Sequence, residues 1–394
     1  MSGIRGSQRL ENYASKLIKS LRDHTAEIFP PDAQKTLRSY SMKEVGDFIG
    51  INPNTFRHYI KTYQGRMPTG QLVNGNRRYF TAGEMQEIRE FLWKEERISI
   101  NEYRRRQPGE EMKAITVFNL KGGVSKTSSC VHLAEVLALR GYRVLAVDLD
   151  AQASMTNLFG LSPEAMPDMP SSYNVISYKN SMPIRDVIRK TYFPGIDILP
   201  ASMDIIEFEY ETALSFRGDA PKASPFHSRM AEALDQVRDE YDIVLFDTPP
   251  QLSFAVIAAL FASNGMLIPL TASMLDVMSL ATFMEMASEL MKVVEEQDQD
   301  KTYDFIKFLI TRYETGDNPQ LQVASFMRTV LGDAVMSNEF LKSTAIGDAA
   351  NTKQPLFEVE PRDITKSTYD RVMSSISGMA DEIEDELRKA WGRP

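Results

Sequence analysis

The chain has 394 residues, too many for one ordinary hydrophobic core, so more than one domain is expected. Its 43% hydrophobic and 25% charged residues are typical of a globular protein, and no apolar run approaches bilayer length. The single cysteine, Cys130, excludes an internal disulfide and argues against a cysteine-rich metal site, while a net charge of −9 by itself argues against a nucleic-acid partner.

The charge is unevenly spread. Residues 1–110 hold 19 Lys and Arg against 13 Asp and Glu, and the remainder holds 26 against 41. Basic charge is thus segregated into the first quarter, the pattern of a nucleic-acid-binding module at that end. The opening Met1-Ser-Gly-Ile-Arg5 does not read as a signal peptide, so a cytoplasmic protein is expected.

In chain order, residues 9–28 predict an amphipathic helix carrying Leu10, Tyr13, Leu17, Leu21 and Ile28, ended by Phe29-Pro30-Pro31. Residues 1–35 are assigned to this helix, with dimerisation as its expected role. Residues 36–98 form the next unit, in which Ser41–Glu44 and Thr81–Glu84 are capping boxes and Asn52-Pro53 is a helix start. Ser41–Phe48, Gly50-Ile51-Asn52 and Pro53–Ile60 predict helix, tight turn, helix, with Val45, Phe48, Ile51 and Phe56 as a small core. The second helix would expose Asn54, Thr55, Arg57, His58 and Lys61, side chains suited to base edges and phosphates. Gln71–Tyr79 reads as a hairpin with Asn74-Gly75 at its turn, placing Arg77 and Arg78 against DNA backbone or minor groove. A protein-interaction role for this small helical unit stands as its alternative. Residues 99–112, rich in arginine with Pro108-Gly109, read as a linker.

From residue 113 to 394 short apolar strands alternate with amphipathic helices. Strands are expected at 114–119, 143–148, 196–200, 243–247, 266–270 and 305–311, with helices at 126–140, 255–263, 274–295 and 320–330. That alternation predicts an α/β domain with a mostly parallel sheet covered on both faces. There is no internal repeat.

The chemistry concentrates at three strand ends. Lys121-Gly122-Gly123-Val124-Ser125-Lys126-Thr127-Ser128 follows an apolar strand and opens a helix. Backbone N–H groups of such a loop close around phosphates, with the helix N-terminus adding its dipole. Lys126 is then placed for the β- and γ-phosphates and the Thr127 hydroxyl for Mg2+. Val144–Asp148, followed by Asp150 and Gln152, ends a buried strand in two carboxylates. Ile243–Asp247 is a hydrophobic strand ending in a carboxylate that would hold Mg2+ through water.

Leu120 and Ser125 occupy the two glycine positions of a strict P-loop. The remaining pattern resembles the deviant Walker A motif of the ParA/MinD superfamily, and Lys121 matches that family's signature lysine. The resemblance implies that Lys121 crosses a nucleotide-sandwich dimer to the partner's phosphates and that Asp150 orients the attacking water, making both catalytic. It further implies that Thr311, Arg312 and the region of Pro361 border adenine. Residues 41–92 resemble a MerR-like winged helix-turn-helix. Together these units resemble the large, type Ia ParA plasmid-partition ATPases, among them the RepA proteins of RepABC-type replicons.

That resemblance implies ATP and Mg2+ as cofactors and a nucleoid-associated homodimer as the working form. It implies a ParB-like centromere-binding partner, autorepression through operator DNA, and non-specific DNA binding by basic residues of the C-terminal part. Candidates for the last are Lys342, Lys353, Arg362, Lys366 and Arg371, with Lys342 and Lys366 foremost. Two alternatives remain: a MinD-like membrane ATPase, disfavoured by the acidic stretch 381–386 and kept open by Trp391, and a regulator that only senses nucleotide.

Overall fold

A computed structural model describes residues 6–28, 35–73, 75, 77–216, 224–296, 301–343 and 354–393. Helix α1 (Gly6–Ile28) falls in one unit, and the chain from Leu37 onward forms another. Within α1, Leu10, Tyr13 and Leu17 are exposed, at the helical spacing expected of an apolar stripe. Its predicted end at Phe29-Pro30-Pro31 lies outside the described residues.

The second unit opens with β1 (Tyr40–Ser41) and α2 (Met42–Ile49). The predicted capping box closes: the Ser41 hydroxyl accepts the Glu44 N–H, and the Glu44 carboxylate accepts the Ser41 N–H at 2.8 Å. Gly50 ends the helix at φ 87°, a left-handed conformation that glycine adopts without strain. In α3 (Pro53–Thr62) the Asn52 side chain accepts the Asn54 N–H ahead of the proline. Strands β2 (Gln71–Val73) and β3 (Arg77–Phe80) pair antiparallel, Val73 facing Arg77. Asn74 and Asn76 of the predicted turn lie outside the described residues. β1 takes the other edge of β3, and the second capping box starts α4 (Ala82–Lys94).

After α5 (Ile100–Tyr103) comes the large sheet. Its strands are β4 (Lys113–Val117), β5 (Val144–Asp148), β6 (Arg189–Lys190), β7 (Ile196–Leu199), β8 (Ile243–Asp247), β9 (Gly265–Thr271), β10 (Phe305–Tyr313) and β11 (Phe340–Leu341). They lie in the order β11-β10-β9-β4-β8-β5-β7-β6, all parallel except the edge pair β6–β7. The six predicted strands are all present. The two-residue edge strands β6 and β11 are too short to leave a periodic signal.

Helices α6 (Lys126–Leu139), α7 (Ser154–Leu158), α8 (Ser172–Ile176), α9 (Ile184–Val187), α10 (Ile205–Ser215), α11 (Arg229–Asp235), α12 (Phe254–Ala262), α13 (Met274–Glu295), α14 (Asn318–Leu331) and α15 (Lys366–Ala390) connect and cover the strands. Alternate residues of β8 supply opposite faces: Ile243 and Leu245 join the core with α6 and α15, while Val244 and Phe246 join α10, α11 and α12.

Two expectations are corrected by the fold. Val45, Phe48, Ile51 and Phe56 are buried, but they do not form a separate small core. They run without a break into the side chains of α6 and α15. The supposed linker is also fastened down. Arg104 donates to the Phe48 carbonyl (3.1 Å), Arg105 to Gly141 (3.1 Å) and Arg106 to Arg238 (2.6 Å), while Arg393 donates to the Arg105 carbonyl (2.7 Å). Arginine-rich composition reads as solvated, yet guanidinium groups reach carbonyls that only the folded chain brings near.

A buried joint sits where the N-terminal element meets the sheet. Arg89 of α4 is fully buried and donates to the carbonyls of Phe48 (2.9 Å) and Leu139 (3.1 Å), the last residue of α6. Beside it the Glu384 carboxylate accepts from Arg140 (2.8 Å) and Tyr142 (3.0 Å) and pairs with Arg104 (3.0 Å) and Arg388 (3.0 Å). Trp391 stacks on Tyr142 and donates to the Glu111 carbonyl (2.8 Å), so its ring packs against the protein. Among the described residues no helix is long and apolar enough to cross a membrane.

Candidate functional site

Strand register assembles the site. Asp247 on β8 is the register partner of both Val117 on β4 and Asp148 on β5, the parallel strands on either side of it. The start of the glycine loop and two carboxylates therefore lie side by side at the C-terminal edge, where open α/β sheets bind ligands.

Between β4 and α6, Gly123 and Ser125 both take left-handed backbone conformations, at φ 77° and 62°. For serine that costs about 1–2 kcal/mol. A residue that departs from the strict P-loop glycine thus still keeps the glycine-like backbone. Lys126, buried at the start of α6, folds back so that Nζ donates to the Lys121 carbonyl (2.9 Å). Burial lowers its pKa, against the pull of Asp247 and Asp150.

Asp247 is wholly buried, and among the described residues neither carboxylate oxygen finds a hydrogen-bond partner of full geometry. Burial first, then the charge of Asp148, pushes its pKa well above the ordinary carboxylate value, while Thr127 and Lys126 oppose the rise. An orphaned buried carboxylate beside a threonine hydroxyl is a hard-oxygen donor set that fits Mg2+. Thr127 and Asp247 lie side by side in the fold.

Asp148 serves as a strut. It accepts the Thr156 hydroxyl (2.7 Å), the Thr156 N–H (2.9 Å) and the Asp150 N–H (3.1 Å). Burial pushes its pKa up to about 6 in spite of these bonds. Asp150 is half-buried and accepts the Gln152 N–H (2.9 Å), which fixes its rotamer at the mouth of the site.

The residues expected around adenine have other contacts. The Thr311 hydroxyl donates to Val124 (3.0 Å) and Leu270 (3.1 Å), tying the glycine loop to β9, and Arg312 donates to Gly123 (3.1 Å). Pro361 opens a 3-10 turn, Pro361–Asp363. Gly122, Val124 and Ser128 complete the loop, and a Cβ added at Gly122 would meet only open space.

Sequence patterns alone do not single out three further residues around the loop. Asn119 accepts the Lys121 N–H (2.9 Å) and donates to Pro269 (2.7 Å). Buried His132 bonds the Ser128 carbonyl (2.7 Å) and accepts the Leu356 N–H (3.3 Å). Asp276 pairs with the Lys121 ammonium. None belongs to a local motif, because each has a partner remote in sequence: Pro269 for Asn119, Leu356 for His132 and Lys121 for Asp276.

On α3, Asn54, Thr55, Arg57 and His58 are exposed together, Arg57 resting on Asn54 (3.0 Å). Arg77 is exposed, but Arg78 is half-buried and turned back onto the Thr69 carbonyl (2.7 Å), so it braces the hairpin. Lys342 is likewise less available than expected, being paired with Glu314 (2.6 Å). Lys366 and Arg371 are exposed on α15, while Lys353 and the side chain of Arg362 lie outside the described residues.

A family profile described as an AAA domain matches residues 112–299. The Sinorhizobium fredii (strain NBRC 101917 / NGR234) protein named as a replication protein A is 39% identical over 381 residues, covering 96% of this chain and 93% of that one. A solved structure named as a partition protein aligns with a TM-score of 0.58 at 19% identity, covering 94% of this chain and 98% of its own. A Borrelia burgdorferi B31 plasmid partition protein solved with AMPPNP aligns with a TM-score of 0.52 at 20% identity, covering 69% and 99%. At these identities the two structures speak for the fold, and the near full-length relative speaks for the family. The chain belongs to the ParA-type partition ATPases, alongside the RepA-like replication proteins.

Proposed function

We propose that the chain is an ATP-driven plasmid-partition protein of the cytoplasm and nucleoid that also reads operator DNA. The observation that carries this reading is the buried, unpartnered carboxylate of Asp247 beside Lys126 and Thr127 at the mouth of a glycine loop. Lys126 neutralises phosphate charge, Thr127 and Asp247 hold Mg2+, and Asp150 orients the attacking water. Bound Mg2+ would supply electrostatic stabilisation of the phosphate oxygens. Lys121 reaches the phosphates of a second subunit, so that ATP joins two chains, with α1 as a further dimer contact.

Asn54, Thr55, Arg57, His58 and Arg77 read the operator for autorepression, and Lys366 contributes to non-specific nucleoid DNA binding. A ParB-like centromere-binding protein stimulates hydrolysis. The continuous core between the N-terminal element and the sheet also favours a second reading, a transcription regulator for which the nucleotide is a signal. ATP turnover with and without DNA separates the two, since a sensor turns over no faster with DNA.

The site itself is tested by substitution. Lys126→Ala and Thr127→Ala should each weaken ATP–Mg2+ binding by on the order of 100-fold, the loss of a charged hydrogen bond or metal contact. Asp150→Ala should bind ATP normally and hydrolyse it poorly. Ordinary affinity and turnover in all three would refute the site.

A further inference from the structure

Strand β2 stands open on three sides. Gln71, Leu72 and Val73 are all exposed, so neither face of the strand is covered, and among the described residues its outer edge has no strand beside it. Edge strands usually protect themselves with charge, yet this one carries Leu72 at 57% and Val73 at 43% exposure. Register sets their directions. Leu72 lies opposite Arg78 and so shares the face of Phe80, whose ring packs on Phe56 of α3 at 5.6 Å. Val73 lies opposite the exposed Arg77, on the other face. Between Asp47 and Glu84 the sequence holds five Lys and Arg and no Asp or Glu, so this apolar strand is set in a stretch of wholly positive charge.

We propose that the β2–β3 hairpin enters the DNA minor groove beside the segment read by α3, where Leu72 and Val73 wedge against the bases and bend the duplex. The proposal rests on the reading of α3 and the hairpin as the operator-binding element. Phosphates line both walls of the groove and draw a basic hairpin in, while base and sugar faces at its floor accept aliphatic side chains. The minor groove is about 6 Å wide, too narrow for a two-stranded ribbon, so it must open. Apolar side chains that partly unstack a base step open it and kink the duplex by about 20–90°. Burial of Leu72 and Val73 offsets the unstacking. Pyrimidine–purine steps unstack at least cost, so the hairpin selects a flexible step without a hydrogen bond to any base.

The test uses the full chain and the DNA fragment immediately upstream of its own coding sequence, circularly permuted to report bending by gel mobility and titrated across salt concentrations. The parent should bend the fragment by at least about 20°. Leu72→Ala and Val73→Ala, both at exposed positions, should each reduce the bend and weaken binding on the order of tenfold, with an unchanged salt slope because no charge is lost. Arg77→Ala should instead lower that slope by about one. A hairpin merely disordered by Leu72→Ala would lose the Arg77 contact as well, so a lowered slope in that variant counts against the wedge. An unbent fragment in the parent, or a bend unchanged in both alanine variants, overturns this inference alone when Arg57→Ala still weakens binding. Weaker self-association of Leu72→Ala in sedimentation, with the bend intact, would make the strand a contact between copies of the chain and sink the wedge. A parent that does not bind the fragment, or binding unchanged in Arg57→Ala and Arg77→Ala, removes the operator reading and this inference with it.

Discussion

Replacing Glu384 with glutamine removes the one anion that four side chains share at the joint between the N-terminal element and the sheet. Glu384 is 2% exposed; Arg140 and Tyr142 donate to it, and Arg104 and Arg388 pair with it at 3.0 Å. Burial alone would raise its pKa, but Arg104, Arg140 and Arg388 overcome this and hold it below the usual value. Glutamine keeps the shape, loses the charge and turns an NH2 group toward groups that are themselves donors. Breaking a buried pair from one side costs about 3–5 kcal/mol. Arg140 keeps Asp381 at 2.5 Å and Arg388 keeps Asp385, which points to the lower end of that range.

A unit of roughly 360 residues unfolds with an entropy of about 0.75 kcal/mol/K, so about 3 kcal/mol lowers Tm by about 4 °C. Scanning calorimetry of the nucleotide-free chain measures it. The parent should show residues 37–98 and the sheet melting in one transition, because they share one core. A separate, earlier transition of the N-terminal element in the parent, or a Tm change under about 1 °C in Glu384→Gln, would refute this reasoning.

His132 gives a pH prediction. Burial pushes its imidazole pKa down to about 4, against the Ser128 carbonyl bond that favours protonation. The unfolded chain takes up that proton near pH 6.5. The stability it contributes is therefore fully present above about pH 6.5 and falls by up to about 3 kcal/mol as pH drops toward 4. Urea unfolding at pH 7.5, 5.5 and 4.5 should show a flatter dependence in His132→Gln, and identical slopes would count against the buried neutral imidazole. If α3 and the hairpin read operator DNA as proposed, Arg57→Ala and Arg77→Ala should each weaken operator binding on the order of tenfold, the worth of one good contact. A footprint unchanged by both would rule out α3 and the hairpin as the reading surface.

Short-range chemistry is legible in the amino-acid sequence itself. The capping boxes at Ser41 and Thr81 close between residues three apart, and the left-handed turn at Gly50 needs only its own missing side chain. The strands ending at Val117, Asp148 and Asp247 are marked by their own apolar runs, and parallel register then aligns their ends. The glycine loop with Lys121, Lys126 and Thr127 can be read in the same way, since its function depends on the backbone of eight consecutive residues. Tertiary structure alone decided what the long side chains hold. Lys121 meets Asp276 across 155 residues, Arg104 to Arg106 leave the role of a linker to bind distant carbonyls, and Thr311 fastens the glycine loop from 187 residues away. A local pattern fixes backbone conformation and which face is apolar. The partner of a flexible charged side chain is set by which carbonyls and carboxylates the finished packing has removed from water, and no window of sequence contains that.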